Sequence, residues 1–220
     1  MSHSSEAQQT RKGIRRTVFF CVVFMTLAIA LVVNKLLTPR VMTQEELRLN
    51  GAIVFDKPRR FDDFELLDQN GQPFTREDFK GHWSLLFFGF THCPDICPTT
   101  MADLARLHQA LPDTIAKETE VMLVSLDPAR DTPELLNDYV SYFNPDFTGV
   151  TGDFLAIRRF ANQVNVAFTK VTQGDDYTVD HSGNIVIINP RGDYHGFFKP
   201  PFELARLKTT FSSIHESFDG

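Results

Sequence analysis

The sequence predicts an α/β domain with a central mixed sheet, preceded by one N-terminal transmembrane helix. Three observations predict it. Thr17 to Val33 is continuously apolar or small, and with Leu36 and Leu37 it reaches about 20 residues, enough for one bilayer crossing. Trp83 to Phe90 and Val121 to Leu126 are continuous apolar runs rather than alternating ones, the pattern of strands buried on both faces. Segments with helical apolar spacing follow them, so strand and helix alternate along the chain. Roughly 180 residues remain after the apolar span, which suits one domain with a full-sized core.

In order, residues 1–16 read as a disordered cytoplasmic tail, 17–37 as the anchor, 38–59 as a linker and 60–220 as the folded domain. Within the linker, 38–50 also suits a short juxtamembrane helix. Arg11, Lys12, Arg15 and Arg16 precede the span, so the positive-inside rule keeps that end cytoplasmic and puts the domain across the membrane. The expected location is the inner membrane, single-pass, with the domain facing the periplasm. Ala28-Ile29-Ala30 offers a competing reading as a signal-peptide cleavage site, but the apolar run continues through Leu31-Val32-Val33. A lipid on Cys21 fits poorly behind bulky Phe19 and Phe20.

Asn70-Gly71, between Phe64–Leu67 and Pro73–Thr75, marks a hairpin. Pro98 to Leu111 reads as helix, with Met101, Leu104, Ala105 and Leu107 at helical spacing. Thr132-Pro133-Glu134 opens another, with proline in the first turn where it is tolerated. Phe154–Val164 is a third helix, Ala167–Val171 and Ile185–Asn189 are strands, and Pro201–Phe218 is the last helix. A turn at Asn189–Gly192 leads into the Tyr194–Phe198 run.

The net charge is −6. Four basic residues against Glu6 give the first 16 residues +3, so the remainder carries −9. An acidic domain without a Lys/Arg patch argues against nucleic-acid binding.

The chemistry concentrates in Cys93-Pro94-Asp95-Ile96-Cys97-Pro98, where a core strand gives way to a helix. That placement is the thioredoxin-like arrangement. A helix N-terminus lowers a thiol pKa, and thiolate is both metal ligand and nucleophile. Cys93 and Cys97 can therefore chelate an ion, act as a redox pair or close a disulfide. A structural disulfide stabilises little across so short a loop. Val179-Asp180-His181 brings a candidate third group. Two thiols and an imidazole suit copper, and zinc too, but structural zinc usually takes four protein ligands and no fourth is evident. His181 can equally be an ordinary turn histidine. Asp180-His181 stands where thioredoxins place a proline, just before the strand that faces the dithiol, so an imidazole would face the thiols instead. His92 adjoins the pair, His82 and His195 suit loops or strand edges, and His108 suits packing on its helix. Asp127 and Asp131 either lie near the site or cap the helix at Thr132 and pair with Arg130.

Cys93-Pro-Asp-Ile-Cys97-Pro, Ser125-Leu-Asp-Pro-Ala-Arg-Asp-Thr-Pro133 and Val179-Asp-His-Ser182 together resemble the three signature blocks of the Sco (SenC) proteins. These are membrane-anchored, thioredoxin-like copper-binding assembly factors of cytochrome c oxidase. The resemblance covers about residues 60–215. It implies Cys93, Cys97 and His181 as metal ligands, a copper ion as cargo, and the copper-bearing oxidase subunit as partner. A second copper chaperone is then a candidate donor. It leaves two roles for the thiols, copper delivery or reduction of the acceptor's cysteines, with copper or redox sensing as a weaker third. Peroxidase chemistry fits less well.

Overall fold

The structure is a computed structural model that describes residues 3–37, 41–174 and 176–218. It divides into two compact units, residues 1–40 and 41–220.

The first unit is one helix, α1 (His3–Leu37). Its Gly13–Lys35 stretch is long and apolar enough to cross a membrane, and Phe19, Phe20, Phe24 and Leu31 on it are exposed. The tail expected to lack structure is instead helical from His3. Good helix formers such as Glu6, Ala7, Gln8 and Gln9 lead into the apolar run without a proline to stop them. Residues 38–40 of the expected linker lie outside the described residues.

The second unit contains α2 (Gln44–Leu49), β1 (Ala52–Arg59), β2 (Glu65–Asp68), β3 (Pro73–Thr75), β4 (Trp83–Gly89), α3 (Ile96–Ala110), α4 (Asp113–Lys117), β5 (Thr119–Ser125), α5 (Pro133–Phe143) and β6 (Thr148–Thr151). It continues with α6 (Phe154–Gln163), β7 (Phe168–Gln173), β8 (Asp176–His181), β9 (Ile185–Ile188), β10 (Tyr194–Phe198) and α7 (Leu204–Glu216). Eight strands form one mixed sheet in the order β1-β10-β9-β4-β5-β6-β2-β3. β4, β5 and β6 run parallel, while β9 pairs antiparallel with β4 on the other side. This is the thioredoxin-like mixed sheet. β7 and β8 form a separate two-stranded sheet.

The linker expectation needs correction at residues 52–59, which form β1, while α2 agrees with the short-helix alternative for 38–50. Thr43 opens α2 with a capping box, its hydroxyl accepting from Glu46 N–H while Glu46 accepts from Thr43 N–H. β1 then pairs with β10 at Ala52–Val54 and again at Arg59, with a register irregularity between them. Asp56, Lys57 and Pro58 hide it from a pattern search, because an edge strand tolerates charges and proline. β6 and β8 were also absent from the sequence expectation.

Burial explains the order. Every residue of β4 is buried, and Val121, Met122, Leu123 and Val124 of β5 pack beside it. Phe64 stacks on Phe160 with ring centres 4.4 Å apart, Phe61 packs edge to face against Phe160, and Phe79, itself edge-on to Phe61 and Phe74, also stacks on Phe160. Thr132 caps α5 by accepting from Leu135 N–H.

His195, expected on a loop or strand edge, lies inside β10 and is only 8% exposed. Its ring stands edge-on to Trp83 at 5.1 Å. Burial, with Arg191 nearby, lowers it from 6.5 to about 4. A lowered histidine contributes stability above its unfolded value, lost as pH falls through its folded one. We therefore expect stability to fall between pH 6.5 and about 4, by up to about 3 kcal/mol from this group. Urea denaturation of the wild type and His195→Phe across that range checks this: the variant should lose less stability, and equal losses would refute it.

Candidate metal centre

Cys97 sits in the first turn of α3 and is fully buried. Gly89, the last residue of β4, makes room for it: a Cβ there would stand 2.9 Å from Cys97 Sγ. Cys93 lies in the loop before the helix and is half-buried. The two cysteines are free thiols. Cys97 N–H donates to Cys93 Sγ at 3.4 Å, so the backbone of one cysteine holds the sulfur of the other.

His181 ends β8, and its Nε2 lies 3.6 Å from Cys97 Sγ. The ring stands edge-on to Phe87 and Phe90. Nδ1 lies 3.1 Å from Ser182 C=O. A carbonyl only accepts, so the proton sits on Nδ1 and the Nε2 lone pair faces the thiols. Burial lowers the His181 pKa, which keeps the imidazole in its ligating form. The ligand atoms of Cys93, Cys97 and His181 all lie within 4.8 Å of one another, the one such cluster among the described residues.

The helix-dipole expectation for the thiols is overturned at Cys97. Burial pushes that thiol well above its ordinary value, and the Cys93 contact adds to the effect. Any metal that takes Cys97 must displace its proton.

Two buried carboxylates support the site. Asp131 accepts from Thr91 N–H at 3.1 Å, Thr91 Oγ1 at 2.6 Å and Ser125 Oγ at 2.6 Å. It thereby fixes the loop that leads into Cys93. Asp127 pairs with Arg130 and accepts from Tyr177 Oη at 2.8 Å. Neither caps α5, so the capping alternative fails; the pairing with Arg130 holds for Asp127 and not for Asp131. His92 stays outside the ligand cluster, with Nδ1 3.0 Å from Thr91 Oγ1. His82 pairs with Glu120, and His108 packs against Phe147. Tyr177 and Lys170 were missed; the Tyr177/Val179/His181 alternation after Gly174 was the available signal.

The family model SCO1/SenC matches residues 56–214. The chain belongs to the SCO1/SenC family. It is 39% identical over 165 residues to a protein of Stutzerimonas stutzeri described as copper-binding, covering 74% of this chain and 81% of that one. Among solved structures it resembles Arabidopsis thaliana ScoI with copper bound, at 31% identity and a TM-score of 0.64, covering 70% of this chain and 96% of that one. Yeast Sco1 with copper bound gives 29% identity and a TM-score of 0.67, covering 74% and 91%.

The burial difference between the thiols makes a prediction. In the apo protein, iodoacetamide should modify Cys93 first and Cys97 only after unfolding, because Cys97 is both inaccessible and held protonated. Peptide mass mapping over time checks it; equal rates would show that the helix dipole outweighs burial.

Proposed function

We propose that this SCO1/SenC protein is a membrane-anchored copper chaperone that binds one copper ion through Cys93, Cys97 and His181 and delivers it to the binuclear copper centre of cytochrome c oxidase during assembly. The convergence of two sulfurs and one lone-pair-bearing imidazole nitrogen within 4.8 Å carries this reading. Soft thiolates with an imidazole suit copper, and the two copper-bound Sco relatives support the same cargo. The oxidase as destination, its copper-bearing subunit as partner and another copper chaperone as donor follow from the family likeness. Copper would pass by exchange of one protein ligand at a time. Cys93 and His181, half-buried, are open to an incoming ligand; buried Cys97 releases last.

The second reading is a thiol–disulfide reductase for the acceptor's cysteines. A half-buried thiol beside a buried one, four residues apart, favours it. The two roles can coexist, since a disulfide does not ligate copper as two thiolates do. A copper or redox sensor remains a further use of the same site.

His181→Ala separates the two. It keeps both thiols, so a reductase should survive it and a copper carrier should not. We expect one copper per reduced wild-type chain, greatly weakened binding in His181→Ala, Cys93→Ser and Cys97→Ser, and failed oxidase assembly in cells carrying only His181→Ala. The measurement is oxidase activity at limiting copper with protein level matched. Near-normal activity would promote the reductase reading.

The proposed organisation places 17–37 in the inner membrane and the folded domain in the periplasm. Arg11, Lys12, Arg15 and Arg16 before the apolar span support it. A reporter fused after Gly220 should behave as periplasmic, and cytoplasmic reporter activity would overturn the orientation.

A further inference from the structure

The β7–β8 hairpin, which carries His181, is not part of the eight-stranded sheet. No strand pairing ties it to that sheet, and the polar contacts between it and the turn after β5 gather on Tyr177. Tyr177 is four residues before His181 on β8, so the two side chains share one face of the strand, with buried Val179 between them. Its hydroxyl donates to fully buried Asp127 at 2.8 Å. Two cations lie over its ring, Arg130 at 4.0 Å and Lys170 at 4.2 Å from the centre. Both cations also reach Asp127: Arg130 Nε binds Oδ2, and Lys170 Nζ lies 3.6 Å from Oδ1. Arg130 further donates to Tyr177 C=O and Asp176, each at 3.3 Å. It also lies over Phe90, whose ring is edge-on to His181.

We propose that Tyr177, clamped by Asp127, Arg130 and Lys170, is a positioning residue: it holds the hairpin so that His181 Nε2 meets the Cys93–Cys97 pair. The hydroxyl is essential to the clamp. Without it, Asp127 Oδ1 keeps only the longer contact to Lys170, and the ring loses the bond that fixes its tilt. The clamp's hydrogen bonds run to the hairpin that carries the imidazole, whereas the loop into Cys93 is held by Asp131. Its consequence for metal rests on the copper reading above, while its effect on the hairpin does not.

The test uses the full chain in detergent, as wild type, Tyr177→Phe, His181→Ala and the double variant. Copper(I) affinity is read by competition with a chromophoric chelator, and hairpin mobility in the metal-free protein by amide hydrogen exchange. Tyr177→Phe should weaken copper(I) about tenfold, as expected for loss of a hydrogen bond to a charged group. It should weaken His181→Ala no further, because the clamp works through the imidazole. Amides of β7 and β8 should exchange faster while those of β4 and β5 stay unchanged. A general structural role would instead lower affinity by the same factor in both backgrounds, and that result overturns the proposal. So does wild-type affinity in Tyr177→Phe. Unchanged hairpin exchange refutes the clamp whatever the metal does. If the wild type takes up no copper, the copper reading fails by itself, and the exchange result decides the clamp.

Discussion

The site depends on two carboxylates that have been taken out of water. Asp127 is 0% exposed and Asp131 1%. Removing a carboxylate from solvent costs several kcal/mol unless its lone pairs are met. Each is met by groups from a segment that carries a ligand. Asp131 draws in Thr91 and with it the loop to Cys93. Asp127 draws in Tyr177 and Arg130, and with them the strand that ends at His181. Ser125 joins the two, since its Oγ donates to Asp131 and accepts from Asp127 N–H. One turn after β5 therefore sets the position of two segments that are distant in sequence. Breaking a partner would leave a buried charge uncompensated, so each carboxylate favours the conformation that keeps its segment in place.

That arrangement explains which parts were legible in the sequence. β4, β5, α3, α5 and the hairpin at Asn70-Gly71 announce themselves, because their apolar period and turn chemistry agree with their final burial. β1 does not, because Asp56-Lys57-Pro58 is affordable only at an edge. Short β6 is held by β5 on one side and β2 on the other, a tertiary cause with no local trace. The cysteines were visible from spacing. His181 was not separable from a turn histidine until the three sequence blocks were seen together. The roles of Asp127 and Asp131 were ambiguous for a physical reason: Asp-x-x-x-Asp before Thr-Pro is also what a helix start looks like, and only burial tells the two apart.

The thiols show two local effects in opposition. A helix N-terminus favours thiolate by a dipole that acts within the first turn and is worth at most a couple of kcal/mol. Desolvation of a fully buried sulfur works against thiolate and wins at Cys97. The first-turn position was correctly legible; the depth was not, because it is set by Gly89 on a different element. A glycine in an otherwise bulky strand was the one sequence hint of that depth.

The same depth separates the roles of the ligands. Cys97 is fixed by α3 and β4 and is the least accessible group of the site. Cys93 and His181 are half-buried, each at the end of a segment held by a carboxylate rather than by the main sheet. A site for permanent metal storage would gain by enclosing all three. A pure dithiol reductant would have no use for an imidazole whose Nδ1 proton is committed to Ser182 C=O so that Nε2 faces sulfur. One buried thiol, one half-buried thiol and a half-buried histidine whose pKa burial lowers form the arrangement that the proposed delivery role calls for, an ion both held and given up.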